Sequence, residues 1–178
     1  MNKEEIVSIE NQQFTAAIHL KGAQLSSLTR KSTGYEYIWQ RDPEYWTDSA
    51  PNLFPIVGHL KNDTYEYQQK TYRMSKHGIV RHEPFTIDEK SDDHCRLAYH
   101  DTAKSRKAYP FQFSLFIDFS LTNKGLKIEY TIQNKGDRIM PVGLGYHPAF
   151  AIDTENFKHE DYEIFFDESE SLDLYGLV

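Results

Sequence analysis

The sequence predicts an all-β protein, a large antiparallel β-sandwich, on three observations. Apolar residues recur at every second position over long runs, polar turns separate the runs at short intervals, and no segment carries a helical stripe. Many short strands joined in this way indicate a sandwich or barrel. At 178 residues the chain suits a single β-sandwich domain, 1–178, large enough to bury a core.

The strongest element is "FQFSLFIDFSLT". Phe111, Phe113, Leu115, Ile117, Phe119 and Leu121 fall on one face, and Gln112, Ser114, Asp118, Ser120 and Thr122 on the other, with Phe116 the exception. "GLKIEYTIQN" repeats the pattern with Leu126, Ile128, Tyr130 and Ile132. The "TNKG" between them is a turn, so the pair predicts a long antiparallel hairpin with one face buried and one wet. Shorter strands are expected at "FTAAIHL", "EYIWQ", "TYEYQ", "KTYRM", "FTIDEK", "CRLAYHD", "RIMPVGL" and "YEIFF", with "YQQKTY" joining a second hairpin. "DTAKSRKAY" predicts no more than a short helical turn.

Composition excludes several classes of function. The net charge of −7 and the lack of a basic patch argue against nucleic acid. Cys95 is the one cysteine, which rules out an internal disulfide and a multi-cysteine metal site. "MNKEEIVSIENQQF" has no signal-peptide core and no run approaches membrane-spanning length, so a cytoplasmic protein without membrane contact is expected. The eight histidines show no HxH pair, no HExxH and no Cys/His spacing, and no metal is expected. There is no G-x-S-x-G elbow, dinucleotide fingerprint or P-loop, and Cys95 occupies a core-facing strand position.

The loops hold what chemistry remains. "DPEYWTDSAPNLFPIVGHLKND" and "MSKHGIVRHEPF" carry Lys61, His77 and Arg81, and "VGLGYHPAFAI" carries His147 between a tyrosine and a proline. Histidine suits acid or base work near neutral pH, lysine and arginine donate to hydroxyls or anions, and aromatic rings such as Trp46 stack on the C–H faces of sugars. Each has a plainer reading: His147 as a core histidine bonded to a carbonyl, His77 as a turn residue, Lys61 as a solvated cation. Taken together they suggest a small polyhydroxylated ligand.

The order "EYIWQRDPEYW", "APNLFPIVGHLKND", "KHGIVRHEPF", "MPVGLGYHPAF" resembles the aldose 1-epimerase (galactose mutarotase) superfamily, and its LacX-like branch in particular. The resemblance runs over essentially the whole chain. It implies a large antiparallel supersandwich and a cofactor-free interconversion of α and β anomers of a free or phosphorylated hexose. It matches His147 to the general acid at the ring oxygen and His77 to the second, substrate-binding histidine. Lys61 falls where a sugar-holding arginine stands in better-known members, and Arg81 follows "HGIV" as basic residues do in the LacX-like branch; these two and Trp46 are expected to bind substrate.

The family's catalytic glutamate has no counterpart here. Glu160, Asp161, Glu163, Asp167, Glu168 and Glu170 form an acidic C-terminal region, and none matches the base motif. The chain is therefore expected to be truncated relative to the family, leaving the Phe111 to Leu121 row partly uncovered and strand edges open to self-association as a homo-oligomer. A non-catalytic sugar-binding sandwich is the competing expectation.

Overall fold

The computed structural model describes residues 5–153, 156–163 and 165. Four strands open the chain: β1 (Ile6–Glu10), β2 (Phe14–His19), β3 (Gln24–Arg30) and β4 (Tyr35–Glu36). They form one antiparallel sheet in the order β1-β2-β3-β4. After β5 (Asn52–Leu53) and the hairpin β6 (Thr64–Tyr67) and β7 (Lys70–Arg73) come β8 (Thr86–Lys90), β9 (His94–His100), β10 (Phe113–Leu121) and β11 (Leu126–Asn134). These last four make a second sheet in the order β11-β10-β9-β8. The helical turn α1 (Ser105–Ala108) joins β9 to β10, and the short β12 (Gly145–Tyr146) returns to pair with β5.

The sheets stack because each strand turns one face inward. On β10, Phe113, Leu115, Ile117 and Phe119 are fully buried. They meet Val7, Ile9, Ile18 and Leu25 of the first sheet in one core. Burial of each such side chain contributes about 1.5–3 kcal/mol. The Phe111 to Leu121 row is thus covered, contrary to the sequence expectation, because the first sheet packs directly over it. Apolar exposure lies elsewhere: Ile139 is 89% and Phe150 66% exposed. Among the described residues, β11 pairs only with β10.

Phe116, the exception to the alternation, lies on the outer face. The Arg96 guanidinium sits 5.8 Å from its ring centroid and the His100 ring meets it edge-on at 5.9 Å. On the same face Arg96 Nε and His94 Nε2 each lie 2.9 Å from Asp118 Oδ1. That explains how a carboxylate only 8% exposed is tolerated there.

Four strands escaped the sequence reading: β1, β3 and the two-residue β5 and β12. In β1, Val7 and Ile9 face inward while Ile6 stays half exposed, so its pattern is short and asymmetric. In β3, Ser26, Ser27 and Thr29 dilute the apolar signal, and a bulge at Ala17/Ile18 breaks its register with β2. "RIMPVGL" forms no strand, and Tyr162, Glu163 and Phe165 of "YEIFF" are likewise irregular. Ile164, Phe166, Asp167, Glu168 and Glu170 lie outside the described residues.

Candidate functional site

Two backbone junctions build the site. In the first, Tyr146 pairs with Asn52 and Gly145 with Leu53. The pairing continues past the strand, where His147 N–H donates to Pro51 O at 3.1 Å and Ala149 N–H to Ser49 O at 2.8 Å. Alternation then decides the geometry: Tyr146 turns inward with its hydroxyl buried, and His147 turns outward to the exposed face. Asn52 holds this junction in place. Its side-chain amide donates to Gly22 O at 2.9 Å and Ala23 O at 2.8 Å, and its oxygen accepts from Tyr130 Oη at 2.6 Å.

Trp46 packs against His147 edge-to-face, with ring centroids 5.2 Å apart. It stands on a turn in which its N–H donates to Asp42 O at 2.9 Å, and its own carbonyl accepts the Trp39 indole N–H at 2.9 Å. The platform beside His147 is therefore fixed at both ends.

The second junction presents His77. Its backbone is left-handed, φ 70°, a conformation that histidine adopts more readily than most residues. Its N–H donates to Gly58 O at 2.8 Å, and Gly58 N–H donates back to His77 Nδ1 at 3.2 Å. A ring that accepts at Nδ1 carries its neutral-state proton on Nε2, so His77 offers an N–H outward. Burial holds its pKa below the ordinary histidine value, reinforced by the charges of Lys76, Arg81 and His147. The imidazole is accordingly neutral at pH 7.

Arg81 is tied to Asp48 by an ion pair, and Asp48 also accepts from Gln24 Nε2 at 3.3 Å. Burial pushes the Asp48 carboxyl up, but the hydrogen bonds from Arg81 and Gln24 outweigh it and hold the group below its usual range. Gln24 Oε1 in turn accepts from Ser49 and Ala50. Asp48 and Gln24 were not singled out from sequence. The signal for Asp48 was its place just after Trp46; nothing marked Gln24, which reaches the site only through the sheet.

The structure thus puts Trp46 in ring contact with His147, and the His77 loop, with Arg81 four residues on, pairs at Gly78 with Phe54, next to the Leu53 on which the His147 strand pairs. Lys61 is not tied in. It lies on a 3₁₀ turn, Lys61–Asp63, exposed, and its ammonium makes no ion pair among the described residues. Cys95 is buried in the core, and burial pushes its thiol up to about 11. Among the described residues no group of three or more His, Cys, Asp or Glu side chains gathers to hold a metal, and no helix is long and apolar enough to cross a membrane.

This fold, with histidines presented from two strand-end loops, defines a mutarotase-like sandwich. The sequence matches the aldose 1-epimerase family over residues 5–175, and the chain belongs to that family. It is 36% identical over 172 residues to the plasmid-encoded protein LacX of Lactococcus lactis subsp. lactis, covering 93% of this chain and 57% of LacX. A galactose mutarotase-like protein from Lactobacillus casei superimposes with a TM-score of 0.81 at 38% identity, over 85% of this chain and 52% of that one. A galactose mutarotase related enzyme from Lactobacillus acidophilus gives 0.84 at 35%, over 87% and 52%. The chain spans little more than half the length of these relatives.

Proposed function

We propose that this chain carries the acid side of an aldose 1-epimerase site acting on a free or phosphorylated hexose. One observation supports the reading: the His77 loop pairs at Gly78 with Phe54 while the His147 strand pairs at Gly145 with the adjacent Leu53, so one segment carries both histidines. His77 is neutral, with Nδ1 engaged by Gly58, and donates from Nε2; His147 is exposed and steadied by Trp46.

In this reading His147, as imidazolium, protonates the ring oxygen while a carboxylate base takes the C1 hydroxyl proton. The C1–O bond to the ring breaks and an open-chain aldehyde forms. Rotation about C1–C2 and the reverse transfers close the other anomer. His77 and Arg81 hold hydroxyls, and Trp46 covers a C–H face of the sugar. Lys61 belongs here only if substrate draws its free ammonium inward. Since all transfers are between positioned acids and bases, no cofactor is called for.

Polarimetry on freshly dissolved α-glucose and α-galactose, and NMR for hexose 6-phosphates, test this with the full chain. His147→Ala should slow turnover roughly 10²–10⁴-fold, the usual worth of a general acid. No acceleration over buffer with any common aldose or hexose 6-phosphate would remove the enzymatic claim. The competing reading is a non-catalytic sugar binder, which keeps the contacts to hydroxyls without the proton transfers. It stands if sugars bind but wild type turns over no faster than His147→Ala.

A further inference from the structure

A cavity of about 460 Å³ lies behind the His77 loop, between β7, α1 and the segment Gly78 to Glu83. That volume falls within the roughly 300–1,000 Å³ typical of small-ligand pockets. Its lining is cationic in a chain of net charge −7: Arg73, Lys76, Arg81 and Lys104 against Asp63 and Glu83, with His82 beside them.

Both acids are already engaged. Glu83 takes Lys104 at 2.6 Å and Asp63 takes His59 at 2.6 Å, while Asp48, outside the cavity, offsets Arg81. Arg73 and Lys76 are left at the rim without an ion pair among the described residues. Two donors in the lining are also unspent. Arg81 Nε is buried with no hydrogen-bond partner, and the Tyr99 phenol, 5% exposed, has the Ser105 and Thr102 hydroxyls beside its oxygen as donors, which leaves its own proton to give. A phenol whose pKa is raised by burial keeps its proton and can donate it. A buried donor without an acceptor is costly, and an arriving anion would satisfy it and draw the solvated rim cations toward it.

We propose that this cavity is an anion site that takes a phosphoryl group, with Arg73 and Lys76 supplying charge and Tyr99 Oη and Arg81 Nε donating to its oxygens. The proposal shares Arg81 with the epimerase reading but not its acid: neither His77 nor His147 lines the cavity, so phosphate binding and the effect of His147→Ala on turnover can fail separately.

Inorganic phosphate is the first probe, titrated by calorimetry and thermal shift against chloride at matched ionic strength. Hexose 6-phosphate and the unphosphorylated hexose form the second and third arms. Wild type should bind phosphate saturably. Arg73→Met/Lys76→Met should weaken it by about tenfold or more, the loss of two charge-assisted contacts. Tyr99→Phe keeps the ring and the charges of the cavity and removes one donor, so it should weaken phosphate binding while leaving the response to chloride and the folded circular dichroism spectrum as in wild type, a combination that a purely structural role would not produce. Tighter binding of hexose 6-phosphate than of phosphate would assign the phosphoryl group to a sugar; equal binding would assign it to the free ion. No saturable phosphate response, or variants that respond like wild type, would overturn the site.

Discussion

Gly78→Ala tests whether the backbone behind His77 is as closely fitted as the structure implies. Gly78 has φ 85°, and a Cβ there would overlap the Phe54 carbonyl and come 2.8 Å from Pro55 N. Both obstacles are backbone, and Phe54 O is already accepting Ile79 N–H at 2.8 Å, so neither can swing aside. The left-handed backbone alone costs an alanine about 1–2 kcal/mol. Forcing atoms into a filled space adds about 1–3 kcal/mol. The sum, roughly 2–5 kcal/mol, should lower the melting temperature on the order of 10 °C for a domain of this size.

Gly34→Ala is the matched control. Its φ is 73° and nothing lies within 4 Å of the added Cβ, so only the backbone cost applies and the melt should drop by a few degrees. Thermal unfolding followed by circular dichroism reads both. If the two variants melt together, the close approach of the His77 loop to the Phe54–Pro55 backbone is not there in solution. The argument that the loop holds His77 in place then fails too.

Two further perturbations read the electrostatics. His77 and His82 both have pKa values lowered from 6.5, chiefly by burial. The folded state therefore binds these protons less readily than the unfolded chain. Their contribution to stability is complete above about pH 6.5 and is lost as pH falls through the folded values, so urea midpoints should drop between pH 8 and pH 5, less steeply in His77→Gln. Equal slopes in the two proteins would refute the assignment to His77. Asp48→Asn leaves Arg81 without its counter-ion and should cost about 1–3 kcal/mol in urea unfolding. It should also move the His77 pKa further down by NMR titration; an unmoved His77 would show that Arg81 does not act on it.

The long hairpin was legible because β10 and β11 each carry an unbroken period-two row, and the structure pairs Leu121 with Leu126 across "TNKG". "EYIWQ" was read as a strand; of it only Glu36 lies in β4, with an isolated bridge at Ile38. The cause is the Glu36 carboxylate, which accepts Leu28 N–H at 2.9 Å and Ile38 N–H at 2.8 Å and so takes donors a ladder would need. "RIMPVGL" has strand-forming residues, but β-propensity expresses packing against neighbours, and Ile139 has none covering it. A histidine beside a glycine can be marked from sequence. The partners that set its proton cannot, because Gly58 and Arg81 reach His77 through the fold.

The choice between a core histidine and a presented one turns on the parity of a two-residue strand. Tyr146 and His147 are adjacent, so one must face in and the other out. The tyrosine has the larger apolar body to bury, and it lies against Asn52 and Tyr130 with its hydroxyl enclosed. That seating commits His147 to the outer face, where its ring keeps contact with water and needs no carbonyl partner. A core histidine would also need a buried acceptor, and among the described residues none is bonded to this ring; its contact is the edge of Trp46. A register slip of one residue would exchange the two side chains, burying an imidazole and exposing a phenol. The Pro51, Ser49 and Leu53 backbone partners of the junction resist that slip. Presentation of His147 is therefore a property of the β5–β12 pairing, set before any ligand arrives.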